Sequence, residues 1–325
     1  EKAAGRYAFV VGVLTLSALV AACSDDDPVG PGAGEQVATL TVDANDWTYV
    51  SLGDPSRVVT VSDPAKSTAW DLAFHATSVT LNGGAAGPGG VVGYCVCQNA
   101  SATDSEIAAM TPESELRDFL DVGVADLPAD EAAWRSDALV PVISGWYAYD
   151  FATHTVSALP EKVWKLRTAE GDSYAKFHVT AIEDAARGHA GRVTFEYAVQ
   201  SGRGEAMGPT RTETVDLSSG AVYFDLVDGV VSNDSDWDLR FEGYTIQVNG
   251  GVSGPGQAGA VIVDEPFDAI TDASDLEGLY RGDVYGGVFD AHRWYRYDLR
   301  GNHQIWPTYD VYLIRRGAAV YKLQL

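Results

Sequence analysis

The strongest constraint on how this chain folds is that it repeats itself. Trp70-Asp71-Leu72-Ala73-Phe74 returns as Trp237-Asp238-Leu239-Arg240-Phe241, 167 residues further on. The same offset carries Asn82-Gly83-Gly84 onto Asn249-Gly250-Gly251 and Gly87-Pro88-Gly89 onto Gly254-Pro255-Gly256. Upstream, Val42-Asp43 and Tyr49-Val50-Ser51-Leu52 answer to Val215-Asp216 and Tyr223-Phe224-Asp225-Leu226. Downstream, Trp146-Tyr147-Ala148-Tyr149-Asp150 returns as Trp294-Tyr295-Arg296-Tyr297-Asp298 at an offset of 148, followed by Pro160 and Pro307, then Tyr174 and Tyr321. Ordered self-similarity of this kind marks two copies of one folding unit. The fall in offset places an insertion of about 19 residues in the first copy, between the Gly-rich loop and the WYxYD element. The expected organisation is a first copy over 38–205 and a second over 206–325. After Tyr321 the second copy has only Lys322-Leu323-Gln324-Leu325, whereas the first runs on from Tyr174 to Gln200. The second copy is therefore short by one strand, the counterpart of Arg192–Val199, and because its loss would leave an open sheet edge the sequence is expected to be a truncated record.

Ahead of the repeat lies a segment of a different kind. Lys2 and Arg6 precede an almost wholly apolar run, Tyr7 to Ala22, that is too short to span a bilayer. A basic start, an apolar middle and a small-residue end describe a secretory leader over residues 1–22. Leu19-Val20-Ala21-Ala22-Cys23 resembles a bacterial lipobox, which implies acylation of Cys23. Acyl chains contribute about 0.8 kcal/mol per buried CH₂, so two or three of them hold a protein firmly at a membrane. Residues 23–37 are acidic and rich in Gly and Pro, a tether that cannot bury a core. With no initiator Met, the chain is expected to begin inside a longer reading frame.

Charge narrows the partners. Asp and Glu number 46 against 22 Lys and Arg, a net charge of −24. Such a chain cannot neutralise phosphates along a nucleic acid, nor dock electrostatically onto anionic lipid. Its 34 Gly and 13 Pro suit a turn-rich β protein. The runs TLTVDA, YVSLG, RVVTVSD, SVTLNGG, KVWKLRT, YAKFHVTAI, RVTFEYAV and DVYLIRR are short, rich in β-formers and separated by turn residues, as strands require. Helices are expected at Thr111–Phe119, with Thr as N-cap and Pro at the first helical position, at Pro128–Trp134, and at Asp272–Tyr280. The fold class is thus mostly β, two tandem antiparallel domains with a few short helices.

The order WDxxF, Asn-Gly-Gly with Gly-Pro-Gly, WYxYD, then Gly171-x-x-Tyr174-x-Lys176-Phe177 in copy one and Gly317-x-x-x-Tyr321-Lys322-Leu323 in copy two, resembles the HmuY family, over Val42–Gln200 and again from Val215 to the last residue. That resemblance implies a β grip, a lipid anchor at the bacterial outer membrane or cell surface, and capture of haem, free or from haem-carrying proteins, for an outer-membrane transporter in iron acquisition. Haem needs one or two axial ligands, commonly His or Met, beside aromatic surface. His154 and His303 follow Trp146 and Trp294 by eight and nine residues and are the only His shared by the copies; His292 ranks next, with Ser144 in its place in copy one. A fold-forming role is the rival explanation for the shared pair. His75, His178, His189, Met110 and Met207 read as loop or packing residues.

Cys95 and Cys97 form a C-x-C pair with no counterpart in copy two, where Ile262 aligns with Cys95. Residues i and i+2 of a strand share a face, so the pair is read as part-buried thiols or an oxidised local pair, with no second pair to complete a zinc site. Asp71 and Asp238 could pass for catalytic carboxylates, but acceptance of turn or edge backbone N–H groups is their expected role. No G-x-S-x-G, H-E-x-x-H or phosphate loop is present, and the Gly-rich loops lack Lys and Arg. The expectation is a protein that is not an enzyme. The alternative to haem capture is a surface binding or scaffold lipoprotein that recognises protein or glycan, with the haem site lost.

Overall fold

The computed structural model describes residues 14–19, 37–43, 45–53, 56–232 and 236–325. Cys23, the charged start of the leader and most of the tether lie outside them. The chain forms two compact units, one of residues 140–284 and one of residues 1–139 with 285–325. Copies in sequence and units in space thus divide the chain at different places. Each unit joins the WDxxF half of one copy to the WYxYD half of the other.

The 140–284 unit holds a five-stranded antiparallel sheet in the order Arg211–Asp216, Arg192–Gln200, Tyr174–Glu183, Val163–Arg167, Gly259–Val263. A four-stranded sheet runs Val230–Ser232, Val222–Asp225, Leu239–Glu242, Thr245–Val248. Alternation makes the core: in Arg192–Gln200, Val193, Phe195 and Tyr197 point inward and Arg192, Thr194 and Glu196 do not. They pack with Trp146, Trp164, Phe177, Phe224, Leu239, Phe241 and Ile246. Burying aromatic groups of this size contributes most of the hydrophobic stabilisation such a unit has.

The other unit repeats this topology. Its five-stranded sheet runs Val37–Leu40, Leu14–Leu19, Ala319–Gln324, Val311–Arg316, Val92–Cys95, and its four-stranded sheet runs Arg57–Val59, Thr48–Ser51, Leu72–His75, Ser78–Leu81. Leu72, Phe74 and Leu81 pack with Trp294, Tyr312 and Ile314. Leu14–Leu19, read from sequence as part of a leader, here occupies the position that Arg192–Gln200 holds in the first sheet.

The motifs that revealed the repeat are joints. The Asn82 amide donates to the Trp70 and Ser67 carbonyls (both 2.8 Å), and its oxygen accepts from Gly89 N (2.9 Å). Asn249 does the same with the Trp237 carbonyl and Gly256 N. The loop wraps so closely that a Cβ at Gly87 would sit 2.1 Å from Asn82 Oδ1, and one at Gly254 2.0 Å from Asn249 Oδ1. Glycine is required there by close approach. Asp71 and Asp238 are buried and accept from Leu52 N (2.7 Å) and Leu226 N (2.9 Å), the backbone role expected of them.

The inserted segment of copy one carries the helix Pro112–Asp121, capped by Thr111, with Phe119 fully buried. The other two expected helices are corrected. Pro128–Trp134 contracts to one 3₁₀ turn, Glu131–Ala133, capped by Asp130. Asp272–Tyr280 is a run of turns, because its backbone and side chains bond elsewhere: Ala273 N donates to Gln200 Oε1, Ser274 N to Asp272 Oδ1, and the Tyr280 ring packs on Tyr174. The helical turn in that region is Phe267–Ala269.

Candidate functional site

WYxYD opens a β-hairpin in each unit. Tyr147–Asp150 pairs with Thr155–Ala158, and Tyr295–Tyr297 pairs with Ile305–Pro307. The tryptophan anchors the hairpin: Trp146 is buried against Tyr147, and Trp294 is buried with its indole N–H donating to the Thr77 carbonyl (3.0 Å). The aspartate shapes the turn. Asp150 Oδ1 accepts from Ala152 N and Thr153 N, which holds its carboxyl below the usual range, and Asp298 Oδ1 accepts from His303 N (2.7 Å).

The turns deliver His154 and His303 to matching places. His154 adopts φ 56° and lies with Nδ1 2.6 Å from Tyr149 Oη; His303 adopts φ 57° with Nδ1 3.0 Å from Tyr297 Oη. Both imidazoles are exposed. Left-handed backbone costs a residue with a Cβ on the order of 1 kcal/mol, and glycine or asparagine would suit it better. Beside His154, Tyr149 is 42% exposed and Phe151 83% exposed, their rings edge to face at 4.9 Å; Tyr297 beside His303 is 58% exposed.

The donor set suits a haem iron. Nδ1 of each imidazole is taken up by the phenol, so Nε2 is the ring atom that would face an iron, in the tautomer where Nδ1 carries the proton. The aromatic rings alongside offer flat apolar surface for a porphyrin face.

The remaining His are engaged in other ways. His178 stacks on Phe267 at 4.2 Å and shares hydrogen bonds with the Pro160 carbonyl and Glu196. His75 stacks on Trp47, and His189 Nδ1 accepts from Gly191 N. His292 caps the short helix Val288–Ala291 and lies beside Cys95 and Cys97, which form a disulfide. Met207 packs in a small core with Val163, Phe267 and Ile270.

Two paired features escaped the motif search. Lys176 and Lys322 are buried, and each donates to two carbonyls at the end of a helical turn while lying over a phenylalanine ring. Lys176 bonds Phe267 and Ile270 over Phe267; Lys322 bonds Leu120 and Val122 over Phe119. Asp137 and Asp283 are also buried: Asp137 accepts from Leu81 N (2.8 Å), and Asp283 from Val142 N and Val248 N. Burial pushes Asp137 up to about 7 and raises Asp283 too. The signal was in the chain as Arg135-Ser136-Asp137 against Arg281-Gly282-Asp283, at an offset of 146 just ahead of WYxYD.

A comparison with curated proteins finds no match. Residues 43–197 match the family described as HmuY protein, so the first copy, from the strand before WDLAF through RVTFEY, is HmuY-like.

Proposed function

We propose that this is a surface-anchored, non-catalytic haem-binding protein with two HmuY-like copies, 38–205 and 206–325, the second short at its C-terminal end. The observation that carries the reading is the Tyr–His couple, repeated in both hairpins at the same unfavourable backbone angle, in a chain that is HmuY-like over 43–197. The common strand order of the two units supports the second copy. His154 and His303 are the proposed axial ligands, one in each hairpin, with His292 next. When bound, the iron supplies the ligand field and the porphyrin the flat surface. The protein's own part is to hold each imidazole beside Tyr149 or Tyr297 and to offer ring surface. Captured haem would pass to an outer-membrane transporter, and Cys23 would carry the lipid.

Haemin titration of the full chain carrying Cys23→Ser tests this. A saturable, red-shifted Soret band at one or two equivalents is the expected result. A featureless titration of folded protein would favour the alternative, a scaffold or glycan-binding lipoprotein whose exposed Tyr149 and Phe151 stack on another flat ligand. Anchoring is tested separately: Cys23→Ser should release the protein from the membrane fraction, and retention there would contradict the lipid anchor.

A further inference from the structure

We infer that Cys95, Cys97 and His292 form a thiol-gated site for a thiophilic cation of the Zn(II) or Cu(I) class, closed while the two cysteines are joined and opened by a dithiol reductant. The Sγ atoms of both cysteines and a ring nitrogen of His292 lie within 4.8 Å of one another, a spacing that one metal ion can bridge. Two thiolates and an imidazole are the donors that soft and borderline cations prefer. The site uses neither His154 nor His303. It is also peculiar to one unit: at the repeat offset Ile262 stands for Cys95 and Asp264 for Cys97, and Ser144 stands for His292.

The scaffold around the pair does not depend on the disulfide. Tyr312 lies opposite Cys95 on the neighbouring strand and donates its hydroxyl to the His292 carbonyl (2.7 Å), which ties the helix end to the strand end. Beyond Cys95 the chain is held to its neighbour by Val96 N to the Val311 carbonyl, Gln98 Nε2 to the Tyr309 carbonyl, and Asn99 N to Asp310 Oδ1. Cys97 sits at φ 57°, which brings the two Cα atoms to 5.0 Å, against about 6.6 Å for two steps of extended strand. A disulfide that closes so short a loop restricts the unfolded chain little, so opening it costs the fold little. The pair is therefore poorly suited to be a structural staple and well suited to open and close.

Access sets the chemistry. Cys95 is buried, Cys97 half-buried and His292 exposed. A reductant thiolate attacks Cys97 Sγ, the S–S bond breaks, and Cys95 leaves as a thiolate. The reductant's second thiolate then attacks its own sulfur in the mixed disulfide, releasing the Cys97 thiolate. Two electrons pass from the dithiol, which ends as a disulfide. The freed thiolates, with a ring nitrogen of His292, take the cation.

The test uses the full chain carrying Cys23→Ser, so that only this pair is counted, and Co(II) as the probe. After reduction, removal of reductant and titration of two free thiols, one equivalent of Co(II) should give a thiolate-to-cobalt charge-transfer band that Zn(II) abolishes. The oxidised protein should give none. Cys97→Ser should lose the band, and His292→Ala should weaken Co(II) binding at least ~10-fold, as loss of even an outer-shell partner does. Two titrated thiols with no band, a band of unchanged affinity in His292→Ala, or loss of the far-ultraviolet β signal on reduction would each overturn the proposal.

Discussion

The unit of residues 140–284 and the unit built from both ends of the chain share two sheets strand for strand, yet they close the larger one differently. In the first, the strand beside Tyr174–Glu183 is Arg192–Gln200, the next segment of chain, so the pair is a local hairpin. In the second, the strand beside Ala319–Gln324 is Leu14–Leu19, some 300 residues away in sequence. Local closure costs little chain entropy and distant closure costs more. The difference shows where the architecture is exposed: the second sheet depends on a strand from the far end of the sequence.

The largest effect should therefore come from deleting residues 1–22. Amide exchange across Ala319–Gln324 should accelerate by at least ~100-fold while Tyr174–Glu183 stays protected. Equal loss of protection in both strands would break the comparison.

A smaller effect is expected from the buried lysines. Lys322→Met leaves the Leu120 and Val122 carbonyls without its bonds and Lys176→Met those of Phe267 and Ile270, so each should cost about 1–3 kcal/mol in urea unfolding. Lys322→Met should cost more, because it loosens a ten-residue helix where Lys176 holds a single turn. The reverse order would mean that the inserted helix is held by Phe119 alone.

The mildest comparison is electrostatic. Asp137 rises from 3.8 to about 7 in the fold, so the native state binds more protons than the unfolded chain between those values. Its contribution to stability is complete below about pH 4 and is lost as pH rises towards 7, with a slope of up to about 1.4 kcal/mol per pH unit. Asp137→Asn should flatten the stability profile in that window. Asp283→Asn should change it less, because two backbone N–H groups favour the Asp283 carboxylate. Identical profiles for the two variants would contradict the inferred difference in environment.

Much of this was readable in the chain. The repeated Trp-Asp, Asn-Gly-Gly and Gly-Pro-Gly positions are joints where one residue type fits, and such positions keep their spacing. The strands followed from alternation, and the Thr111 helix from its cap. The exchange of halves between copies was not readable, because the WDxxF halves of both copies carry the same contact residues, and sequence cannot say which of two equivalent partners a half will pack against. The Asp272–Tyr280 helix failed because Gln200, a residue distant in sequence, takes a backbone N–H there. His154 and His303 were visible as shared residues, but their left-handed backbone and their tyrosine partners appeared only once the hairpins were folded.

The central claim is that each hairpin presents one haem ligand. Haem stoichiometry in four proteins tests it most directly: the full chain carrying Cys23→Ser, and in it His154→Ala, His303→Ala and the double variant, each titrated with haemin and checked for folding. The account predicts two equivalents in the parent, one in each single variant and none in the double variant. Unchanged stoichiometry and Soret position in the folded double variant would contradict it.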